Sequence, residues 1–179
     1  PLAAELARFR ERERGWLDDA ATFSVLARAH GGRPFWEWEP RLRDRDPRAL
    51  AQFRASHVRA IERAVATFFF FDRQWTALRE HAHTRGVSIV GDLPIYVDRS
   101  SVDVWAARDL FALDASARPL EISGVPPDYF SETGQLWGHP LYLWDRHAKD
   151  EYAWWRRRLS RVLALTDVVR IDHFRAFAA

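Results

Sequence analysis

The stretch "VVRIDHFRAF" (Val168–Phe177) sets a guanidinium and a carboxylate two positions apart at the end of an apolar run. In an extended strand, side chains two apart share a face. Val168, Arg170 and Asp172 therefore point one way, and Val169 and Ile171 the other. A neighbouring guanidinium favours the ionised form of a carboxylate. An ionised, fixed carboxylate is what attack on the anomeric carbon of a sugar requires. The same Arg-x-Asp pattern also serves as a plain ion pair at a strand end, and the residues alone leave both readings open. Asp92 in "GDLPIYV" closes a second short apolar run and is expected to project toward the same rim. Taken alone, it also reads as a turn former ahead of Leu93-Pro94.

A second group lies in "GVPPDYFSETGQLWGHP" (Gly124–Pro140), where three glycines and three prolines shape the backbone. Tyr129, Phe130 and Trp137 offer flat faces that stack on the C–H faces of sugars, while Asp128 and Gln135 can bind hydroxyls. Packing of these aromatics onto a scaffold would use the same residue types. The seven histidines show no metal-ligand spacing, so no metal site is expected, and "GDLPIY" is no phosphate loop. No Ser-His-Asp arrangement can be argued from the chain.

The elements that must carry these residues read as α/β. Trp16, Ala20, Phe23 and Ala27 follow a helical spacing that Gly31-Gly32 stops, and Asp46-Pro47 marks a turn or a helix start. A long helix is expected from about residue 56 to 85. Val58, Ile61, Val65, Phe68, Phe71, Trp75, Leu78 and Ala82 keep its rhythm, and the turn Phe68–Phe71 should be buried on several sides. Val87 to Val90 then reads as a buried strand broken by Gly91-Asp92-Leu93-Pro94. Residues 99–140 look like a long excursion with little regular structure. A helix follows with Trp155, Leu159, Val162 and Leu163 on one face, and "DVVRIDHF" is a second buried strand. Strand, excursion, helix, strand make a βαβ unit with a large insertion.

Composition is that of a water-soluble globular chain of 179 residues. There is no transmembrane run, no signal-peptide layout and no cysteine, so a reducing, cytoplasmic setting fits and no membrane partner is expected. Lys149 is the only lysine among 27 basic residues, which reads as the codon bias of a GC-rich genome. Charge alternates in "RLRDRDPR" (Arg41–Arg48), and the densest basic run, Arg156 to Arg158, falls on the second helix. Mixed charge of this kind speaks against a nucleic-acid partner. Methionine is absent, position 1 included, which points to a processed chain or a segment of a longer one.

"GDLPIYV", "VWA…LFALD", "GVPPDYFSETGQLWGHPLYLWD" and "VVRIDHFRAF", in this order, resemble the signature blocks of 4-α-glucanotransferase. That family is also called amylomaltase or disproportionating enzyme and belongs to the α-amylase-like superfamily. "WLDDAATFSVLARAHGGRPFWEWEPRLRDRDP" and "FFFFDRQWTALREHA" resemble its preceding helical region, so the likeness runs from about Trp16 to Phe177. It implies part of a (β/α)8 TIM-type barrel, with a helical insertion at 1–55, barrel elements at 56–179 and a substrate loop at 99–140. It implies retaining transfer between α-1,4-glucans such as maltooligosaccharides, without a cofactor. The nucleophile falls on Asp172, the superfamily arginine on Arg170 and a sugar-binding aspartate on Asp92. His173 matches a donor or acceptor contact. The loop over bound glucan matches Gly124–Ser131, with Tyr129 and Phe130 as its lid, and Gln135 and Trp137 match further sugar contacts. His139 departs from the family's usual asparagine and puts one loop contact in question. The family's acid/base glutamate and second aspartate lie on later strands, and the resemblance places Glu121 and Glu132 in the loop. The chain is thus expected to be a central fragment with half an active site, inactive alone. A non-catalytic α-glucan-binding module is the alternative.

Overall fold

A computed structural model describes residues 2–129 and 131–177, and the chain divides into two compact units, Pro1–Ala77 and Leu78–Ala179. The first unit is helical: α1 (Leu2–Glu13), α2 (Leu17–Ala29), α3 (Pro40–Arg43), α4 (Pro47–Ser56) and most of α5 (Val58–Thr84). Asp46 caps α4 by accepting from the Ala49 N–H at 2.8 Å, with Pro47 in the first turn, where a missing N–H costs nothing. Phe9, Leu17, Ala21, Val25, Ala64, Val65 and Phe69 form the core of this unit. The buried stripe of α2 is centred on Leu17, Ala21 and Val25 rather than on the expected Phe23 and Ala27. Phe23 instead meets Trp38 from the connection after α2, ring centroids 5.2 Å apart. Burial of the whole Phe68–Phe71 turn does not occur. Only Phe69 is buried, and Phe71 is 51 % exposed, because a helix packed on one side leaves the opposite side of each turn outside.

The second unit is α/β. It holds the end of α5, β1 (Val90–Leu93), α6 (Val102–Ala106), β2 (Ile122–Val125), β3 (Gln135–Pro140), α7 (Trp144–Lys149), α8 (Ala153–Leu165) and β4 (Val168–Ile171). β1 and β4 pair in parallel, Val90 opposite Val168 and Leu93 opposite Ile171. Parallel partners need a long crossover, which α6 to α8 supply. The excursion is more ordered than its composition suggested, since β2 and β3 form an antiparallel hairpin.

β1 begins at Val90 and not at Val87, for a reason visible in the backbone. Gly86, at φ +69°, ends α5, and the Val87 N–H donates to the Ala82 carbonyl at 3.0 Å. The Ile89 N–H donates to the Asp167 carboxylate at 2.8 Å, so ladder pairing starts one residue later. Asp167 also accepts from Arg79 (Nε at 2.9 Å, and Nη2) and from His83 Nε2 at 2.9 Å. The Ile89 N–H, His83 and Arg79 together hold its carboxyl well below the usual carboxylate range. This clamp joins the end of α5 to the start of both strands, the end of an α/β unit that serves stability.

Neither strand is the fully buried element its apolar run suggested. Val90 is 66 % and Val168 54 % exposed, because the parallel sheet has only these two strands among the described residues. In α8, Trp154 and Trp155 are both buried, which turns the inward face away from Leu163.

Candidate active site

The parallel register decides what meets at the C-terminal ends of the strands. Asp92 and Arg170 are direct cross-strand partners, so their side chains leave the sheet at one level and on one side. The Arg170 fork closes on Asp92 with two hydrogen bonds, Nε to Oδ1 at 2.8 Å and Nη2 to Oδ2 at 2.9 Å. Nη2 also lies 3.4 Å from Oδ1 of Asp172. One guanidinium thus joins two carboxylates, with the tighter hold on Asp92. That hold keeps the Asp92 carboxyl below its ordinary range, and the two carboxylates raise Arg170 further above its own.

Asp172 lies just past β4, in the turn that follows, and its backbone N–H donates to the Leu93 carbonyl at 3.2 Å. The next residue, His173, has φ +50°, a left-handed conformation uncommon for a residue with a Cβ. The chain therefore bends sharply at the carboxylate. Such outliers persist where the surroundings over-determine them.

The hairpin brings the second group to His173. Trp137 meets the His173 ring edge to face, centroids 4.9 Å apart, and its indole N–H donates to Gln135 Oε1 at 2.9 Å. Gly124 is required opposite them, since a Cβ there would stand 2.6 Å from the Gln135 carbonyl oxygen. Asp128 accepts from the Ser131 N–H at 2.9 Å and so shapes its own turn. Tyr129 is 90 % exposed at the loop tip, and Phe130 lies outside the described residues. The arrangement thus forms two linked groups: Asp92, Arg170 and Asp172, then His173, Trp137 and Gln135. Asp128 and Tyr129 stand on the loop beyond them. Glu121 and Glu132 are exposed on the same excursion.

Sequence reading passed over Tyr96, whose ring lies 6.2 Å from Trp137 and 6.4 Å from His173. The signal was present, since Tyr96 sits in "GDLPIYV" four residues after Asp92. It also passed over Arg158, which was counted only within a basic run. Its spacing of three and four from Trp155 and Trp154 puts it over both indoles, at 5.1 and 5.4 Å.

The profile of the 4-alpha-glucanotransferase family matches residues 1–179. The 4-alpha-glucanotransferase of Thermus thermophilus is 47 % identical over 173 residues, 97 % of this chain and 35 % of that protein. The chloroplastic/amyloplastic 4-alpha-glucanotransferase of Solanum tuberosum is 44 % identical over 179 residues, 99 % of this chain and 31 % of that protein. The structure of amylomaltase from Streptococcus agalactiae in complex with acarbose matches with a TM-score of 0.92 at 39 % identity, covering 98 % of this chain and 35 % of that one. The chain spans about a third of the length of these relatives.

Proposed function

The chain belongs to the 4-alpha-glucanotransferase family, and from that premise we propose that it carries the nucleophile side of a site that moves α-1,4-glucan segments between maltooligosaccharides. The observation that carries this reading is the single guanidinium of Arg170 held between Asp92 and Asp172 at the ends of two parallel strands. In a (β/α)8 barrel that end bears the chemistry. We take the strands as part of such a barrel, residues 1–55 as a helical insertion and 99–140 as the substrate loop.

In this reading Asp172 attacks the anomeric carbon, and the bond to the leaving glucan breaks as an acid protonates the departing oxygen. A hydroxyl of a second glucan, deprotonated by the same group, then displaces Asp172 and restores the original anomer. Asp92, kept ionised by Arg170, accepts hydrogen bonds from sugar hydroxyls. Trp137, Tyr129 and Phe130 stack on sugar rings, and His173, Gln135 and Asp128 hydrogen-bond to them. The acid belongs about 5–5.5 Å from the nucleophile in a retaining site. We assign it to no residue of this chain. No described helix is long and apolar enough to cross a membrane, and a cytoplasmic setting is part of the proposal.

The test is a full-length chimera in which this chain replaces the matching third of the Thermus thermophilus relative. It should convert maltotriose into glucose and longer maltooligosaccharides, while the 179-residue chain alone leaves maltotriose unchanged. Asp172→Asn should lower turnover by on the order of 10⁴-fold or more, the scale of nucleophile removal in other hydrolases. Turnover that survives Asp172→Asn would overturn the assignment. The prominence of Tyr129 favours a second reading, a non-catalytic α-glucan-binding module. It requires that the chain alone bind maltooligosaccharides, that binding survive Asp172→Asn, and that Tyr129→Ala or Trp137→Ala abolish it.

A further inference from the structure

Tyr96 links the Trp137 and His173 rings of the site to the buried Tyr142. One side of its ring approaches Trp137 and His173, and the ring stacks on Tyr142, centroids 6.0 Å apart and planes 10° from parallel. Nothing in Tyr96 alone fixes it there. Its backbone is fixed from the next layer, through the two carbonyls that precede it.

The buried Tyr142 hydroxyl donates to the Ile95 carbonyl at 2.7 Å. Arg158 reaches across from α8 and donates to the same carbonyl at 3.2 Å and to the Pro94 carbonyl at 2.7 Å. Its guanidinium lies over Trp154 and Trp155, both buried. Burial lowers the affinity of Arg158 for its proton, while Asp103 of α6 and Tyr142 offset this. Taking this charge out of water costs free energy that its hydrogen bonds to the two carbonyls offset, and those bonds pin the carbonyls in place. Pro94 and Ile95, two and three residues beyond Asp92, carry the chain from β1 to Tyr96.

We propose that Tyr96, held by Arg158 and Tyr142 through the Pro94 and Ile95 carbonyls, is the positioning residue that sets Trp137 and His173 against each other beside Asp172. This rests on the glucan-transfer reading for its consequence, but not for its geometry. Among the contacts described, Tyr142 touches no site residue but Tyr96, and toward the site Arg158 meets only the two carbonyls that precede Tyr96, so both act through it.

The test is a double-mutant cycle in the full-length chimera. Arg158→Met keeps an unbranched stem over the indoles and removes the donors. Tyr142→Phe removes one hydroxyl and keeps the ring, so it tests the same link where Arg158→Met fails to fold. Each should lower kcat for maltotriose several-fold and reduce the near-UV circular dichroism of the aromatic stack. In a Tyr96→Ala background the same changes should cause no further loss. Unchanged kcat and spectrum, or an equal loss in both backgrounds, would overturn the proposal and leave Arg158 a structural clip. If the wild-type chimera does not turn over maltotriose, the glucan reading fails. The near-UV cycle then still decides whether Arg158 and Tyr142 act through Tyr96.

Discussion

Arg170 divides its attention unequally. Its register partner Asp92 takes both arms of the fork, and Asp172, past the strand end, is met only at 3.4 Å. In the proposed mechanism, where Asp172 would form the covalent bond, the inequality makes sense. A carboxylate locked in two short bonds is a poor nucleophile, whereas one oriented from the side stays available. Arg170→Met tests the hold on Asp92. In the wild type, Asp92 should titrate below the ordinary 3.8, and the variant should bring it back toward that value, as read from its carboxyl carbon by NMR. The folded-state pKa is the depressed one. The pair therefore contributes stability above the unfolded value and loses it as pH falls through the folded midpoint, so wild type and variant should converge in acid. An unmoved Asp92 midpoint in the variant would count against the bidentate pair. Arg170 and Asp172 were legible as neighbours from their spacing, although Asp172 lies in the turn past β4 and not on the strand as expected. That the arginine prefers Asp92 was not, since it follows from the pairing of two strands 78 residues apart.

At the scale of elements, the approach of β1 to the end of α8 turns on one glycine. A Cβ at Gly91 would stand 2.6 Å from Thr166 Cγ2 and 2.8 Å from its Oγ1, closer than atoms tolerate. Thr166 cannot swing aside freely, since it is β-branched, buried and hydrogen-bonded to the Val162 carbonyl at 3.0 Å. Gly91→Ala should therefore cost about 1–3 kcal/mol, the range for overpacking, measured by denaturant unfolding of the chimera. Gly91→Ala in a Thr166→Ser background should recover much of it, and no recovery would mean that the strain lies elsewhere. The sequence announced Gly91 only as a strand breaker, because a glycine inside a strand and one ending it look alike in one dimension. The long helix α5 and the cap at Asp46 were readable, as apolar period and capping residues are local. The hairpin of β2 and β3 was not. Its strands contain Gly124, Gly138 and Pro140, and their pairing across the loop, not local propensity, makes them strands.

For the molecule as a whole, the exposed apolar side chains have a pattern. Val90 and Val168 lie on the parallel pair, Leu120, Ile122 and Leu136 on the excursion, and Phe70, Phe71 and Leu78 along α5. Single exposed leucines are ordinary, but Val90 and Val168 face each other across a ladder of two strands among the described residues. A parallel pair is found almost only with both faces covered, and an uncovered strand edge is a template for pairing with another chain. In the relatives, two thirds of the length lies outside the part this chain matches, ample material to cover these surfaces. The 179-residue chain by itself should then associate with rising concentration in sedimentation velocity and bind an apolar dye, while the chimera should do neither. A dye-free monomer with a sharp two-state melt would mean that two strands and their helices suffice, and that the exposed valines need no partner. The contrast between chain and chimera bears on the cause, since both carry these exposed residues and the chimera adds the segments that would cover them.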